Sequence, residues 1–134
     1  MIGAVDTSVL LDILKADPRF GLPSKHSLEK ARREGALIVC PIVISELRPF
    51  FGSDEETLQV IDSLELQVVE FGVHSSLLAG ALWKDFRRTK TPRTRMMSDF
   101  LIGAHALIHS DFLITRDSIF FKKIFRELKI REPS

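Results

Sequence analysis

The sequence lacks the features that mark secreted, disulfide-stabilised and membrane-spanning proteins. Its 134 residues include one cysteine, so the chain cannot form an internal disulfide and needs no oxidising compartment. No apolar run approaches the roughly 20 residues of a transmembrane helix, and the amino terminus has no basic segment followed by an apolar stretch. We therefore expect a cytoplasmic protein that does not associate with a membrane.

A strong charge of either sign is also missing. Lysine and arginine total 19 and aspartate and glutamate total 18, which gives a net charge of +1. Net charge therefore indicates no polyanionic partner, and any attraction for nucleic acid must come from a local patch. The hydrophobic fraction of 45% supplies a core, and the length suits a single domain over residues 1–134.

Short apolar runs alternate with amphipathic segments along the chain. The runs predict strands at residues 2–5, 36–40, 66–71 and 111–115, with a possible edge strand at 128–131. A first helix is expected from Thr7 or Ser8, and Pro49 is expected to end or kink the third. The remaining helices are predicted at residues 24–34, 41–51, 54–64, 74–88, 98–109 and 118–127, with chain breaks at 17–18 and 21–23.

This alternation predicts an α/β fold with three layers, α/β/α, around a parallel sheet of four to five strands. If the strand order is 3-2-1-4-5, the first and fourth strands are neighbours at the point where the order reverses. Ligands of such sheets bind beyond the carboxyl ends of the strands at that point. The functional site is therefore expected beside the ends of these two strands.

Four acids are predicted to reach that edge of the sheet. Asp6 directly follows the first strand, Asp117 follows the fourth by two residues, Asp99 lies in the first turn of an apolar helix, and Glu46 lies on the helix after the second strand. Singly, each has an ordinary alternative as a helix cap, a helix-end charge or a solvated side chain. Together they favour one site, and because clustered carboxylates repel, that site calls for a hard cation such as Mg²⁺ or Mn²⁺.

Other chemistries fit the sequence less well. His105 and His109 have the spacing of a zinc-protease pair, but no Glu stands between them, so His105 is expected in the core or at its rim. No glycine-rich phosphate loop is present; Gly80 and Gly103 are isolated and are expected to allow close helix packing. Cys40 is predicted to be a buried strand residue and not a nucleophile.

Four segments resemble the motifs of the PIN-domain ribonucleases, especially the single-domain toxins of the VapC type. The first is Val5-Asp6-Thr7-Ser8-Val9-Leu10-Leu11-Asp12, and Ser45-Glu46-Leu47 resembles the second motif. The others are Ser98-Asp99-Phe100-Leu101-Ile102-Gly103-Ala104-His105-Ala106 and Leu113-Ile114-Thr115-Arg116-Asp117. The match extends from the first strand to the last helix.

The resemblance implies a PIN-like fold and a Mg²⁺- or Mn²⁺-dependent endoribonuclease that acts as the toxin of a toxin–antitoxin pair. It also implies a homodimer and a small antitoxin partner. A housekeeping RNA-processing nuclease and a degenerate PIN domain that only binds RNA or protein are the alternatives. By the same resemblance, the metal-binding and catalytic acids are Asp6, Glu46, Asp99 and Asp117, and the supporting hydroxyls are Ser8 and Thr115.

A basic segment leads into the third motif. Residues 84–95 carry six lysines and arginines against one acid, Asp85. Beside an acidic metal site, Lys90, Arg93 and Arg95 are predicted to bind RNA phosphates on either side of the scissile bond. The alternative for the segment is a solvated helix end followed by a loop.

Overall fold

The computed structural model describes residues 1–89 and 95–134, and within them one parallel sheet forms the centre of the molecule. Its order is β3-β2-β1-β4-β5, and every neighbouring pair is parallel. The strand order and fold class predicted from the sequence are therefore confirmed. The strands are β1 (Gly3–Val5), β2 (Leu37–Val39), β3 (Leu66–Val68), β4 (Phe112–Ile114) and β5 (Lys129–Arg131).

Helices connect the strands and cover the sheet. Parallel neighbours require crossover connections, and here each connection contains at least one helix. A short 3₁₀ turn, Arg48–Phe50, follows the third helix. The helices are α1 (Thr7–Leu14), α2 (Gly21–Glu34), α3 (Pro41–Leu47), α4 (Asp54–Ser63), α5 (Gly72–Arg87), α6 (Met97–His109) and α7 (Ser118–Ile124).

The start of α2 and the end of α7 differ from the sequence prediction by three residues each. The predicted break at residues 21–23 is wrong, because α2 begins at Gly21 and Pro23 lies in its first turn, where no backbone N–H is needed. Just before it, the Asp17 carboxylate accepts the backbone N–H of Phe20 at 2.8 Å. The helix predicted at 118–127 ends earlier, at Ile124. Pro49 ends α3 as expected, because it falls in the 3₁₀ turn.

The core lies on both faces of the sheet and is richest around α6. Phe100 and Ala104 of this apolar helix are completely buried. The ring of Phe100 contacts Trp83 of α5 and Phe120 of α7 edge-on, with centroids 5.2 and 5.4 Å apart. This aromatic cluster fixes the start of α6 relative to the start of α7. In the described ranges, no helix is both long and apolar enough to span a bilayer.

His105 is a buried structural residue. Its Nε2–H donates to the Val69 carbonyl at 2.7 Å, and its neighbour His109 hydrogen-bonds the Phe71 carbonyl at 3.1 Å. Burial lowers the pKa of His105, which favours the neutral ring. The pair attaches the chain after β3 to α6, and the expectation of a core histidine is confirmed.

Two helical glycines allow a matched stability test. A Cβ at Gly103 would overlap the ring of Phe125, whereas a Cβ at Gly80 meets nothing within 4 Å. We expect Gly103→Ala to lower the free energy of unfolding by about 1–3 kcal/mol through overpacking. Gly80→Ala should raise it by up to about 1 kcal/mol, because alanine favours helix. Urea denaturation of both variants measures this, and an equal effect of the two substitutions would contradict it.

Candidate functional site

The candidate site lies at the carboxyl ends of β1 and β4. These strands are neighbours, with Val5 paired to Ile114, so the residues that follow them emerge side by side. Asp6 follows β1 directly, and Thr115 and Asp117 follow β4. This is also where the strand order reverses, so a crevice opens between the two connections.

The Asp6 carboxylate is buried and held by two hydroxyls. The residue is only 8% exposed, and its Oδ2 accepts hydrogen bonds from Thr115 Oγ1 at 2.7 Å and Ser8 Oγ at 3.1 Å. The same Thr115 hydroxyl accepts the backbone N–H of Asp117 at 3.0 Å. Thr115 therefore links the side chain of Asp6 to the backbone of Asp117. Ser8 and Thr115 make the contacts that a supporting role requires, and that role itself stays a prediction.

Burial and neighbouring charge disfavour ionisation of two of the acids. Burial raises the pKa of Asp6 from 3.8 to about 6, against the hydrogen bonds from Thr115 and Ser8, and the charge of Asp99 adds to the increase. Burial also raises the pKa of Asp99, and the charge of Asp117 adds to this. The charge of Asp99 therefore acts on Asp6, and the charge of Asp117 acts on Asp99.

Asp99 has a second task at the start of α6. Its carboxylate accepts the backbone N–H of Met96 at 3.3 Å, which caps the first turn of the helix. The helix begins at Met97, one residue before the predicted start, so Ser98 lies inside the first turn. The ordinary alternative for Asp99, a helix-end charge, is thus compatible with a place in the acidic crevice.

Glu46 is hydrogen-bonded to Thr7, which was not among the predicted site residues. Thr7, which follows Asp6 and is buried, donates its hydroxyl to Glu46 Oε1 at 2.6 Å. The bond joins α1 to α3. The sequence signal for Thr7 was its place directly after Asp6 at the strand end, although its partner lies 39 residues away.

Arg95 contacts Asp117 with both arms of its guanidinium. Nη2 donates to Oδ1 at 2.9 Å, and Nη1 donates to Oδ2. The guanidinium carbon lies 4.2 Å from the centroid of the Phe120 ring. Arg95, predicted to bind phosphate, is therefore placed on an acid of the crevice. Lys90 and Arg93 lie outside the described residues.

Arg116 follows β4 as well, and it was not among the predicted site residues. Its Nε lies 2.6 Å from Oδ2 of the buried Asp12, which also accepts the Ser24 hydroxyl at 3.0 Å. The guanidinium carbon lies 4.1 Å from the centroid of the Phe20 ring. The turn after β4 carries Thr115 and Asp117, and these contacts attach that turn to α1 and α2. Asp12 belongs to the first motif and Arg116 to the fourth, and this is the sequence signal that could have indicated their importance.

The donor chemistry of the four acids fits a hard divalent ion. Carboxylate oxygens suit Mg²⁺ or Mn²⁺. Burial is the main cause of the raised pKa values of Asp6 and Asp99, and a bound ion would stabilise their ionised forms. Their present arrangement does not enclose an ion: in residues 1–89 and 95–134, no three Asp, Glu, His or Cys side chains are placed to hold a metal. Each of the four acids is instead engaged by a hydrogen-bond donor of the chain.

The sequence places the chain in a known family. Residues 4–125 match the PIN domain, so the protein belongs to the PIN domain family. PIN domains are generally metal-dependent nucleases. A comparison with curated proteins gives no significant match.

Solved structures share the fold over the full length of the chain. A chain of VapBC2 from Rickettsia felis, crystallised with a fragment of promoter DNA, has a TM-score of 0.75 and 21% identity, covering 100% of both chains. A chain of VapBC-1 from nontypeable Haemophilus influenzae has a TM-score of 0.71 and 21% identity, covering 98% of both. A chain of a toxin–antitoxin complex from Klebsiella pneumoniae has a TM-score of 0.65 and 16% identity, covering 98% of both.

Proposed function

We propose that this protein is a metal-dependent endoribonuclease that hydrolyses RNA phosphodiester bonds and acts as the toxin of a toxin–antitoxin pair. The observation that carries the proposal is the position of Asp6 and Asp117 after two neighbouring strands of a PIN domain, with Asp99 near enough for its charge to act on Asp6. A buried acid such as Asp6, placed against other acids, is costly for folding. Binding of a cation by these acids accounts for a fold that carries this cost.

In this proposal Asp6, Glu46, Asp99 and Asp117 hold one or more Mg²⁺ or Mn²⁺ ions. A bound ion of this kind supplies a water of lowered pKa and stabilises negative charge on the phosphate. The chain itself presets the ligands, because hydroxyls hold Asp6 and Glu46 and a backbone N–H orients Asp99. By resemblance to the family, the products carry a 5′-phosphate and a 3′-hydroxyl.

The RNA backbone would be held by the basic segment before α6. Arg95 supports this assignment, because its side chain is 27% exposed at the mouth of the crevice and carries a fork of donors suited to phosphate. Lys90 and Arg93 are proposed for the same task from the sequence alone. RNA bound here would pass directly over the acids.

An antitoxin partner is supported by the likeness to chains of VapBC and other toxin–antitoxin complexes over their full length. A cytoplasmic location and a homodimer complete the proposal by resemblance to the family. Two observations favour the alternative of a degenerate PIN domain that only binds RNA or protein. Arg95 engages Asp117, and the described side chains do not enclose an ion.

Metal dependence of RNA cleavage tests the proposal. We expect protein stripped with EDTA to leave single-stranded RNA intact and to cleave it once Mn²⁺ is added, because the acids lack their cation until then. Gel analysis of end-labelled RNA measures this. Cleavage that persists in EDTA would contradict the metal mechanism, and RNA binding without cleavage at any Mn²⁺ concentration would favour the degenerate domain.

A further inference from the structure

Arg95 occupies the face of Asp117 that the proposed function needs for a metal ion. The guanidinium spans both carboxylate oxygens, with Nη2 2.9 Å from Oδ1 and Nη1 against Oδ2. The ring of Phe120 packs against the same guanidinium. A planar guanidinium that pairs in this way with a carboxylate is fixed in both position and orientation. The negative charge of Asp117 is therefore already balanced by Arg95 in the free protein.

The charge of Arg95 also reaches the other acids. Its pKa is raised by the hydrogen bonds and charge of Asp117 and further by the charges of Asp99 and Asp6. Arg95 is thus a cation in the crevice where a divalent ion is proposed. The guanidinium and a divalent ion in this crevice would repel each other, and the oxygens of one carboxylate cannot contact both cations fully. Arg95 and the ion therefore compete for Asp117.

The contact is accessible to a substrate. The side chains of Arg95 and Asp117 are 27% and 34% exposed, so the pair lies at the mouth of the crevice. Solvent therefore reaches both side chains, and a ligand in solution can approach the guanidinium. An RNA phosphate offers two oxygens that accept the same guanidinium fork. Phosphate can therefore replace Asp117 as the partner of Arg95.

We propose that Arg95 blocks Asp117 in the free protein, and that an RNA phosphate which takes over the guanidinium releases Asp117 to the divalent ion. This inference rests on the proposed function, because the ion is that of the nuclease site. RNA and metal then bind with positive coupling, and the coupling is reciprocal: each ligand raises the affinity of the other by the same factor.

Mn²⁺ binding to three forms of the protein tests the competition directly. Isothermal titration calorimetry without RNA compares the unsubstituted protein, Arg95→Gln and Arg126→Gln. Arg126 is a matched control, because it is an exposed arginine between α7 and β5, at the opposite edge of the sheet. We expect Arg95→Gln to bind Mn²⁺ roughly tenfold more tightly than the unsubstituted protein. Arg126→Gln should bind it as the unsubstituted protein does.

A second titration tests the role of the phosphate. A short oligo-thymidylate supplies phosphodiesters and, being DNA, offers no RNA to cleave. It should increase the Mn²⁺ affinity of the unsubstituted protein and leave that of Arg95→Gln unchanged. Arg95→Lys keeps the charge and loses the fork, so its Mn²⁺ affinity should lie between the two. Circular dichroism of each variant verifies the fold.

The outcomes separate this inference from the proposed function. Equal or weaker Mn²⁺ binding by Arg95→Gln, together with Mn²⁺-dependent cleavage by the unsubstituted protein, overturns the competition and leaves the nuclease in place. Absence of Mn²⁺ binding in every form overturns both. An oligo-thymidylate effect of the same size in Arg95→Gln shows that phosphate does not act through Arg95 and also overturns the inference.

Discussion

Asp99→Asn is expected to lower the rate of Mn²⁺-dependent RNA cleavage by at least about a hundredfold. Loss of a residue that only orients a metal ligand costs roughly 10- to 100-fold in many metal sites, and loss of a charged ligand should cost more. Asn keeps the size of the side chain and an oxygen that can accept the Met96 N–H, so the cap of α6 is retained. The free energy of unfolding should therefore change by less than about 1 kcal/mol.

Two comparisons make this test specific. Asp62→Asn removes the same charge from an exposed position of α4 and should leave cleavage unchanged. Asp99→Ala removes both the charge and the cap, so it should also lower the free energy of unfolding, by about 1 kcal/mol. Undiminished cleavage by a well-folded Asp99→Asn protein would remove Asp99 from the catalytic site and reduce it to a helix cap.

Asp6→Asn is expected to stabilise the metal-free protein while abolishing cleavage. Burial raises the pKa of Asp6 to about 6 in the folded protein, above its ordinary 3.8, so folding favours the protonated carboxyl. The stability that this group contributes is fully present below about pH 4 and is lost as the pH rises through about 6. At neutral pH the loss amounts to about 3 kcal/mol at most. Asn is uncharged, like the protonated carboxyl, so the Asp6→Asn variant avoids this loss of stability.

The pH profile of the two proteins gives the measurement. Urea denaturation in EDTA at a series of pH values should show Asp6→Asn as the more stable form above about pH 6. The difference should shrink to nearly zero below about pH 4, where both side chains are neutral. Mn²⁺ should reduce the difference at neutral pH, because it stabilises only the charged site. A difference independent of pH would show that the Asp6 charge does not cause it.

Elements defined by local chemistry were predictable from the sequence. Helix α4 was expected at 54–64 and is observed at Asp54–Ser63, with the Ser53 hydroxyl accepting the Glu56 N–H at 3.1 Å. Its cap, its acidic first turn and its apolar face are all properties of neighbouring residues. The predicted start of α2 is wrong. Proline and glycine usually interrupt a helix, but both are compatible with its first turn.

The positions of two candidate acids were predictable from the sequence, and their contacts were not. Asp6 and Asp117 were assigned from their places after strands, and the observed strand order puts them beside the same crevice. The bond from Thr7 to Glu46 and the ion pair of Arg116 with Asp12 were not foreseen. Each joins residues from different elements, and only the docking of those elements brings the atoms together.

By itself, the sequence determined the alternation of strands and helices, the family, and the acids offered to the carboxyl edge of the sheet. These follow from patterns within single segments and from the order of those segments. Only the tertiary structure decided what each acid contacts: Thr115 reaches Asp6 across 109 residues, and Arg95 pairs with Asp117 and not with solvent. The reason is that burial and ion pairing depend on side chains brought together by packing, and no local pattern encodes those distances.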